Sequence, residues 1–200
     1  MLPIKSKYKI GKRLGPGIFE QLQTQKFALS DARAKKQKRG RQGSDYGRQL
    51  LEKQRVRYTF GLSEKQLSNY VFKAMEATVP SDALHKALEM RADSVVYRAG
   101  FAPTRRAARQ AISHGHFTVN GRKITTPSYA LRKGETIAVR EGNRTSPLYA
   151  SLAGKEDKRA VPQWLGVDFD LMKIEVSGEP QYSQVEVGLD YPTVFEFYSR

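Results

Sequence analysis

Apolar side chains recur at helical spacing through the middle of the chain. From Asp45 to Tyr58, Leu50, Leu51 and Gln54 fall about a turn apart among basic residues, which predicts a helix. A second helix starts at Ser63, where Gln66 three places on completes a capping-box signature. Leu67, Tyr70, Val71, Ala74 and Met75 form its apolar stripe. Pro80-Ser81 then breaks the pattern, and Ser81 is the expected cap of a third helix with Leu84, Ala87 and Leu88 on one face. All three stripes read as helical core. A shorter stripe, Ala92, Val95, Val96 and Ala99, stops at Gly100. Thr104 is the natural N-cap of the next helix, which runs through Ile112 and ends at His114-Gly115. Ala108, Ala111 and Ile112 make its buried side. Arg105 and Arg109 are read as one turn apart on an exposed side, with Arg106 and Gln110 beside them.

After Gly115 the period changes from helical to alternating. Phe117-Thr118-Val119 and Arg122-Lys123-Ile124 flank Asn120-Gly121, a strong two-residue hairpin signal. Lys133-Gly134 turns into an alternating strand over 135–139. Signals resume at Trp164-Leu165 after a polar stretch, and residues 172–176 and 184–187 read as two more strands. Asp190 and Pro192 open a short closing helix with Val194, Phe195 and Tyr198 as its docking face. Residues 1–44 read as an irregular basic extension. Gly11, Gly15, Pro16, Gly17, Gly40 and Gly43 interrupt any long helix, and the stretch from Arg33 to Arg41 has almost nothing to bury.

Charge turns this outline into a question about partners. Lys and Arg number 35 against 20 Asp plus Glu, a formal net charge of +15 with a pI near 10. Such an excess calls for a polyanion, either nucleic acid or an anionic membrane. It is also graded along the chain. Residues 1–60 carry 16 basic and 4 acidic side chains, residues 61–150 carry 14 and 7, and residues 151–200 carry 5 and 9. The first three quarters therefore face the polyanion, and the acidic tail faces protein or solvent. No apolar run reaches the roughly 18 residues that a membrane span needs, and no basic amphipathic surface helix stands out. Residues 1–15 lack the apolar centre of a secretory signal. No membrane partner is expected, and a cytoplasmic protein is the default. With 39% hydrophobic residues, 200 residues can bury a core in one domain or in two small ones. The absence of cysteine removes disulfides, thiolate metal sites and Cys nucleophiles together.

The richest chemistry lies where two short helices lead into the hairpin. A row of guanidinium groups beside a helix N-terminus suits phosphate contact, and the planar fork of arginine binds phosphate oxygens in pairs. Recognition of folded RNA by shape needs such contacts more than base-edge contacts. The candidate RNA-binding residues here are Arg91, Thr104, Arg105, Arg106, Arg109, Gln110, His114, His116, Asn120, Arg122 and Lys123. Lys35, Lys36, Lys38, Arg39 and Arg41 join them from the basic arm, and Arg48, Lys53 and Arg57 from the first helix. Reversing the charge of Arg105, Arg106 and Arg109 is expected to weaken RNA binding with the domain still folded. His114 and His116 invite a metal reading, but with only His85 besides, a carboxylate would have to supply a third ligand. Hydrogen bonding in the loop or to RNA is the simpler alternative. No metal, cofactor or catalytic residue is assigned. Tyr97, Phe101 and Phe117 read as core before base-stacking platforms. The Asp168/Asp170 pair has no nucleophile near it and reads as a solvated turn. Gly11-Lys-Arg-Leu-Gly15 lacks the Gly-Lys-Ser/Thr ending of a P-loop.

The run from Arg98 to Ile124, Arg-Ala-Gly-Phe-Ala-Pro-Thr-Arg-Arg-Ala-Ala-Arg-Gln-Ala-Ile-Ser-His-Gly-His-Phe-Thr-Val-Asn-Gly-Arg-Lys-Ile, closely resembles the RNA-binding module named after bacterial small-subunit ribosomal protein four. That module also occurs in pseudouridine synthases, a tyrosyl-tRNA synthetase appendage and a heat-shock ribosome-rescue protein. The flanks favour the ribosomal family. Residues 45–58, Leu88-Glu-Met-Arg-Ala-Asp-Ser-Val-Val-Tyr-Arg, Pro127-Ser-Tyr, Pro162-Gln-Trp-Leu and the closing Val194-Phe-Glu-Phe-Tyr-Ser-Arg resemble it in the same order, over residues 45–200.

The resemblance implies an α+β fold: a helical domain closed by the C-terminal helix, with an inserted α/antiparallel-β domain carrying the RNA-binding module. The corresponding bounds are 1–44 for the basic extension, 45–90 with 188–200 for the helical domain, and 91–187 for the mixed domain, its module at about 91–150. It implies a structural constituent of the small ribosomal subunit that binds 16S ribosomal RNA directly, at a multi-helix junction of its 5′ domain. Such proteins nucleate assembly of the subunit body and influence translational accuracy, without catalysis. They lie beside ribosomal proteins three and five, near the channel through which messenger RNA enters, and some repress their own message. Many relatives carry a zinc-binding cysteine cluster near the N-terminus. This chain has no cysteine, so no zinc site is carried over. Two other functions remain open at this point. A pseudouridine synthase would need a larger catalytic domain than residues 140–200 can hold. A repressor or rescue factor would act off the subunit.

Overall fold

The computed structural model describes residue 4 and residues 6–37, 44–150 and 161–200. The chain divides into two compact units, Met1–Leu84 with Tyr182–Arg200, and His85–Gln181.

The irregular extension expected over residues 1–44 is helical over much of its described length. Helix α1 covers Lys7–Leu14 and α2 covers Gln25–Gln37, with short 3-10 turns at Pro16–Ile18 and Glu20–Leu22 between them. The cause is a small local core. Leu14, Ile18, Phe19, Leu22 and Phe27 are buried together, with Leu51 and Tyr58 packed against them. Gly11 and Gly15 fit this arrangement in different ways. Gly11 sits inside α1, where a Cβ would collide with Leu22 Cδ1. Gly15, at φ 104°, closes the helix by donating its N–H to the Gly11 carbonyl at 2.8 Å.

Helix α3 (Asp45–Thr59) is capped by Ser44, whose Oγ accepts from Gly47 N at 3.2 Å. Helix α4 (Glu64–Met75) starts with both halves of its capping box. Gln66 N donates to Ser63 Oγ at 3.2 Å, and Ser63 N donates to Gln66 Oε1 at 3.0 Å. Helix α5 (Pro80–Glu89) begins one residue before the expected cap, so Ser81 lies in its first turn. Proline suits that opening position because the first N–H groups of a helix have no intrahelical acceptor.

In the second unit, helices α6 (Ala92–Arg98) and α7 (Arg105–Ser113) share a core with an antiparallel sheet. Its strands are β1 (Phe117–Val119), β2 (Arg122–Ile124), β3 (Thr136–Val139), β4 (Leu165–Asp168) and β5 (Lys173–Val176), in the order β2-β1-β3-β5-β4. Phe117 pairs with Val139 and Ile137 with Ile174 across the ladders, so their side chains line one face. They pack with Val95, Val96, Ala108 and Ile112 from the helices. Asn120 (φ 47°) and Gly121 (φ 80°) make the tight turn between β1 and β2. Phe101 and Phe117 are buried, Phe101 stacking on Phe169 at 5.6 Å. The one-turn helix α8 (Pro147–Ala150) buries Tyr149 edge-on against Phe117.

The strand expected over 184–187 is instead a single helical turn, α9 (Gln184–Val187). Gly188, at φ 65°, ends it, and Val185 is 93% exposed with Val187 only half-buried, so alternation there makes no buried face. Helix α10 (Tyr191–Tyr198) closes the first unit after its cap, Asp190 Oδ1, accepts from Thr193 N at 3.2 Å. Gln49 of α3 donates to Glu196 at 3.0 Å, and Tyr198 donates to Glu64 of α4 at 2.8 Å.

Candidate nucleic-acid interface

Thr104 caps α7 as its residue type predicts, Oγ1 accepting from Ala107 N at 3.1 Å. The helix then presents two ridges of different character. Arg105, Ala108, Arg109 and Ile112 form the inward one, which corrects the expectation that Arg105 and Arg109 lie on an exposed side. Two buried carboxylates, spaced by four residues as the arginines are, draw them in. Arg105 NH2 donates to Glu89 Oε1 at 2.8 Å, and Arg109 Nε donates to Asp93 Oδ2 at 2.8 Å. Each carboxylate grips a second arginine side-on. Arg98 Nε and NH2 reach the two oxygens of Glu89 at 2.9 and 2.8 Å. Arg91 Nε and NH2 reach those of Asp93 at 3.0 and 2.8 Å, and Arg91 is itself buried. The Arg105 guanidinium also lies 4.8 Å from the centre of the Tyr97 ring. Burial alone would push the Glu89 carboxyl up. The guanidiniums of Arg105 and Arg98 outweigh it and hold the group down to about 2.

The outward ridge carries Arg106, Gln110 and His114, all exposed and four residues apart. The hairpin joins it at the end of α7. The Lys123 side chain crosses Gly115, so that a Cβ at Gly115 would meet Lys123 Cε, and Gly115 sits at φ 73°. Arg122 and Lys123 are exposed. Two other candidates are held by the fold. Asn120 Oδ1 accepts from Thr136 N at 3.0 Å, completing the sheet beside the turn. His116 Nδ1 lies 3.0 Å from the Tyr149 hydroxyl. Burial, then the neighbouring His114, lowers the His116 pKa, and burial pushes the Tyr149 hydroxyl up to about 12.

The candidates on α3 separate in the same way. Arg48 is exposed, only loosely paired with Asp45 at 3.8 Å. Lys53, a candidate for RNA contact, is buried. It lies 2.7 Å from Glu64 Oε1 and 4.3 Å from the centre of the Phe197 ring. Arg57 donates to the Leu62 carbonyl and Gln54 Oε1, both at 3.3 Å, and lies 3.7 Å from Glu64. Lys38, Arg39 and Arg41 lie outside the described residues, as do the side chains of Lys35 and Lys36. Sequence reasoning passed over Arg132 and Lys133, exposed in the turn before β3, although the Lys133-Gly134 turn signal marked the place. It also missed the structural weight of Glu89 and Asp93. Among the described residues no group of three or more His, Asp or Glu side chains could hold a metal, and no helix is long and apolar enough to cross a membrane.

Known proteins match both parts of the chain. Residues 90–137, spanning α6, α7 and strands β1 to β3 up to Ile137, match the S4 domain. Residues 4–89 match the ribosomal protein S4/S9 N-terminal domain. A small ribosomal subunit protein uS4 from Roseiflexus sp. (strain RS-1) is 42% identical over 197 residues, 96% of each chain. The chain belongs to the ribosomal protein S4 family. The uS4 protein of Borrelia turicatae (strain 91E135) is 37% identical over 98% of this chain and 96% of its own. That of Persephonella marina (strain DSM 14350 / EX-H1) is 43% identical over 78% and 77%. The S4-family match reaches back to residue 4, into the stretch that pattern alone read as irregular.

Proposed function

We propose that this chain is a structural component of the small ribosomal subunit in the cytoplasm, where it binds 16S ribosomal RNA directly and catalyses nothing. The observation that carries this reading lies in the S4-domain match. No acidic residue occurs from Ser94 to Gly134, while Arg106, Arg122, Lys123, Arg132 and Lys133 are exposed there. Uncompensated cations on a helix ridge and an adjoining hairpin suit the phosphates of a folded RNA better than its base edges. The family's small-subunit name supports the choice of RNA. Lys35, Lys36, Lys38, Arg39 and Arg41 extend the contact as a basic arm, and Arg48 adds to it.

In finer terms, the RNA site is a multi-helix junction of the 5′ domain, and binding there nucleates assembly of the subunit body and influences decoding accuracy. Ribosomal proteins three and five are its neighbours, near the channel through which messenger RNA enters. Sedimentation tests this reading. The chain is expected to stay with small subunits through a wash at moderate salt. Release to the top of the gradient would instead favour a repressor or rescue factor acting off the subunit.

A further inference from the structure

We propose that Glu89 and Asp93 are positioning residues for RNA recognition: each carboxylate fixes two guanidinium groups from different segments, so that α7 meets phosphate already oriented. The inference rests on the RNA-binding reading above and goes beyond it in naming what orders the face. Glu89 joins Arg98 at the end of α6 to Arg105 at the start of α7. Asp93 joins Arg91, just before α6, to Arg109 one turn further along α7. Both carboxylates are buried, Glu89 at 1% and Asp93 at 2% exposure. The backbone over residues 90–93, next to Glu89 and including Asp93, is held as well. Ala92 N and Asp93 N donate to the carbonyls of Tyr129 and Pro127 at 2.9 and 3.2 Å, and Leu131 N donates to the Met90 carbonyl at 2.8 Å. The clamps therefore stand on a fixed base, and α7 is tied to it at two points one turn apart.

Electrostatics alone would argue against acids here, since each subtracts a charge from the RNA-facing module. What they supply is order. A flexible arginine or a loosely seated helix loses freedom when it binds, and a site fixed beforehand avoids that cost. The two effects have opposite signs, which makes them separable.

The test compares the full chain with Glu89→Gln and Asp93→Asn, each of which raises the net charge by one. The probes are a 5′-domain transcript of 16S RNA and an unrelated duplex RNA of equal length. If the carboxylates were mere counter-charge, both RNAs would bind more tightly. Positioning predicts roughly tenfold weaker binding of the 5′-domain RNA with the duplex unchanged or tighter, so the ratio of the two affinities falls. An unfolded basic chain keeps its sequence-independent affinity for RNA, so the ratio is compared only among variants that melt as folded proteins. Because removing a carboxylate from between guanidiniums can unfold the unit, Arg98→Lys serves as a second variant. The Arg98 side chain is 36% exposed, and lysine keeps its charge without the side-on grip. It is expected to lower the same ratio several-fold. An unchanged or raised ratio in Arg98→Lys, and in whichever carboxylate variant melts as a folded protein, overturns the inference. Failure of the unaltered chain to distinguish the two RNAs overturns the RNA-binding reading first, and the inference with it.

Discussion

Arg109 of α7 meets Asp93 of α6 twice at one carboxylate oxygen, Nε donating to Oδ2 at 2.8 Å and NH2 lying 2.7 Å from the same atom. Four residues earlier on each side, Arg105 meets Glu89 through NH2, which donates to Oε1 at 2.8 Å. These four residues turn one ridge of the arginine-rich helix into an ionic seam within the unit. The ridge left exposed is the other one, Arg106, Gln110 and His114, and Arg122 and Lys123 of the adjoining hairpin are exposed beside it.

Charge reversal should separate the two ridges. Changing Arg106, Arg122 and Lys123 to Glu is expected to weaken RNA binding and to flatten its salt dependence, by a slope of about 0.7–0.9 per lost phosphate contact. Thermal melting should change little, since such surface substitutions stay within about 0.5 kcal/mol each. Changing Arg105 and Arg109 to Glu instead sets acids against Glu89 and Asp93 and should destabilise the unit by roughly 3–5 kcal/mol or more. Circular dichroism melts of both variants check this. It replaces the expectation, drawn from sequence, that reversal at Arg105 and Arg109 leaves the domain folded.

Acid should expose the seam. The Glu89 carboxyl is held at about 2 against an ordinary value of 4.5. A carboxyl lowered in the folded state stabilises the fold above its unfolded value, and that contribution fades as pH falls from 4.5 through about 2. Melting temperature is expected to drop across that window, and less steeply in Glu89→Gln. Parallel profiles for the two chains would refute the assignment.

Asn120 is expected to act through the sheet. Asn120→Ala loses the acceptor for Thr136 N and puts alanine, which lacks asparagine's tolerance of the left-handed region, at φ 47°, for a cost of about 2 kcal/mol. Asn120→Gly loses only the acceptor and should cost about 1 kcal/mol. Urea unfolding measures both, and the folded variants should keep their RNA affinity.

Lys53→Met is expected to leave RNA affinity unchanged and to lower the stability of the first unit by about 1–2 kcal/mol. The buried ammonium is engaged with Glu64 and the Phe197 ring. A loss of RNA affinity without a change in melting would return Lys53 to the interface.

How much was legible in the sequence follows from the range of the forces involved. Ser63 with Gln66, Thr104 and Asp190 act on backbone groups three residues away, and Asn120-Gly121 sets its own turn conformation, so residue type and spacing suffice to find them. Helices α1 and α2 escaped notice because their apolar residues are sparse, and Leu22 and Phe27 gain burial only by meeting Leu14 and Ile18. Residues 184–187 alternate like a strand but bury too little to hold one. Helical period shows that Arg105 and Arg109 share a face. It does not show which face turns inward, because that depends on two carboxylates 16 residues earlier in the chain.

The most direct test is nucleotide-resolution crosslinking of the full chain to small-subunit RNA, with the contacting residues identified on the protein side. Crosslinks from Arg106, Arg122 and Lys123 are expected to gather at one multi-helix region of the 5′ domain. Crosslinks scattered along the RNA, or none from the α7 ridge and its hairpin, would contradict that expectation.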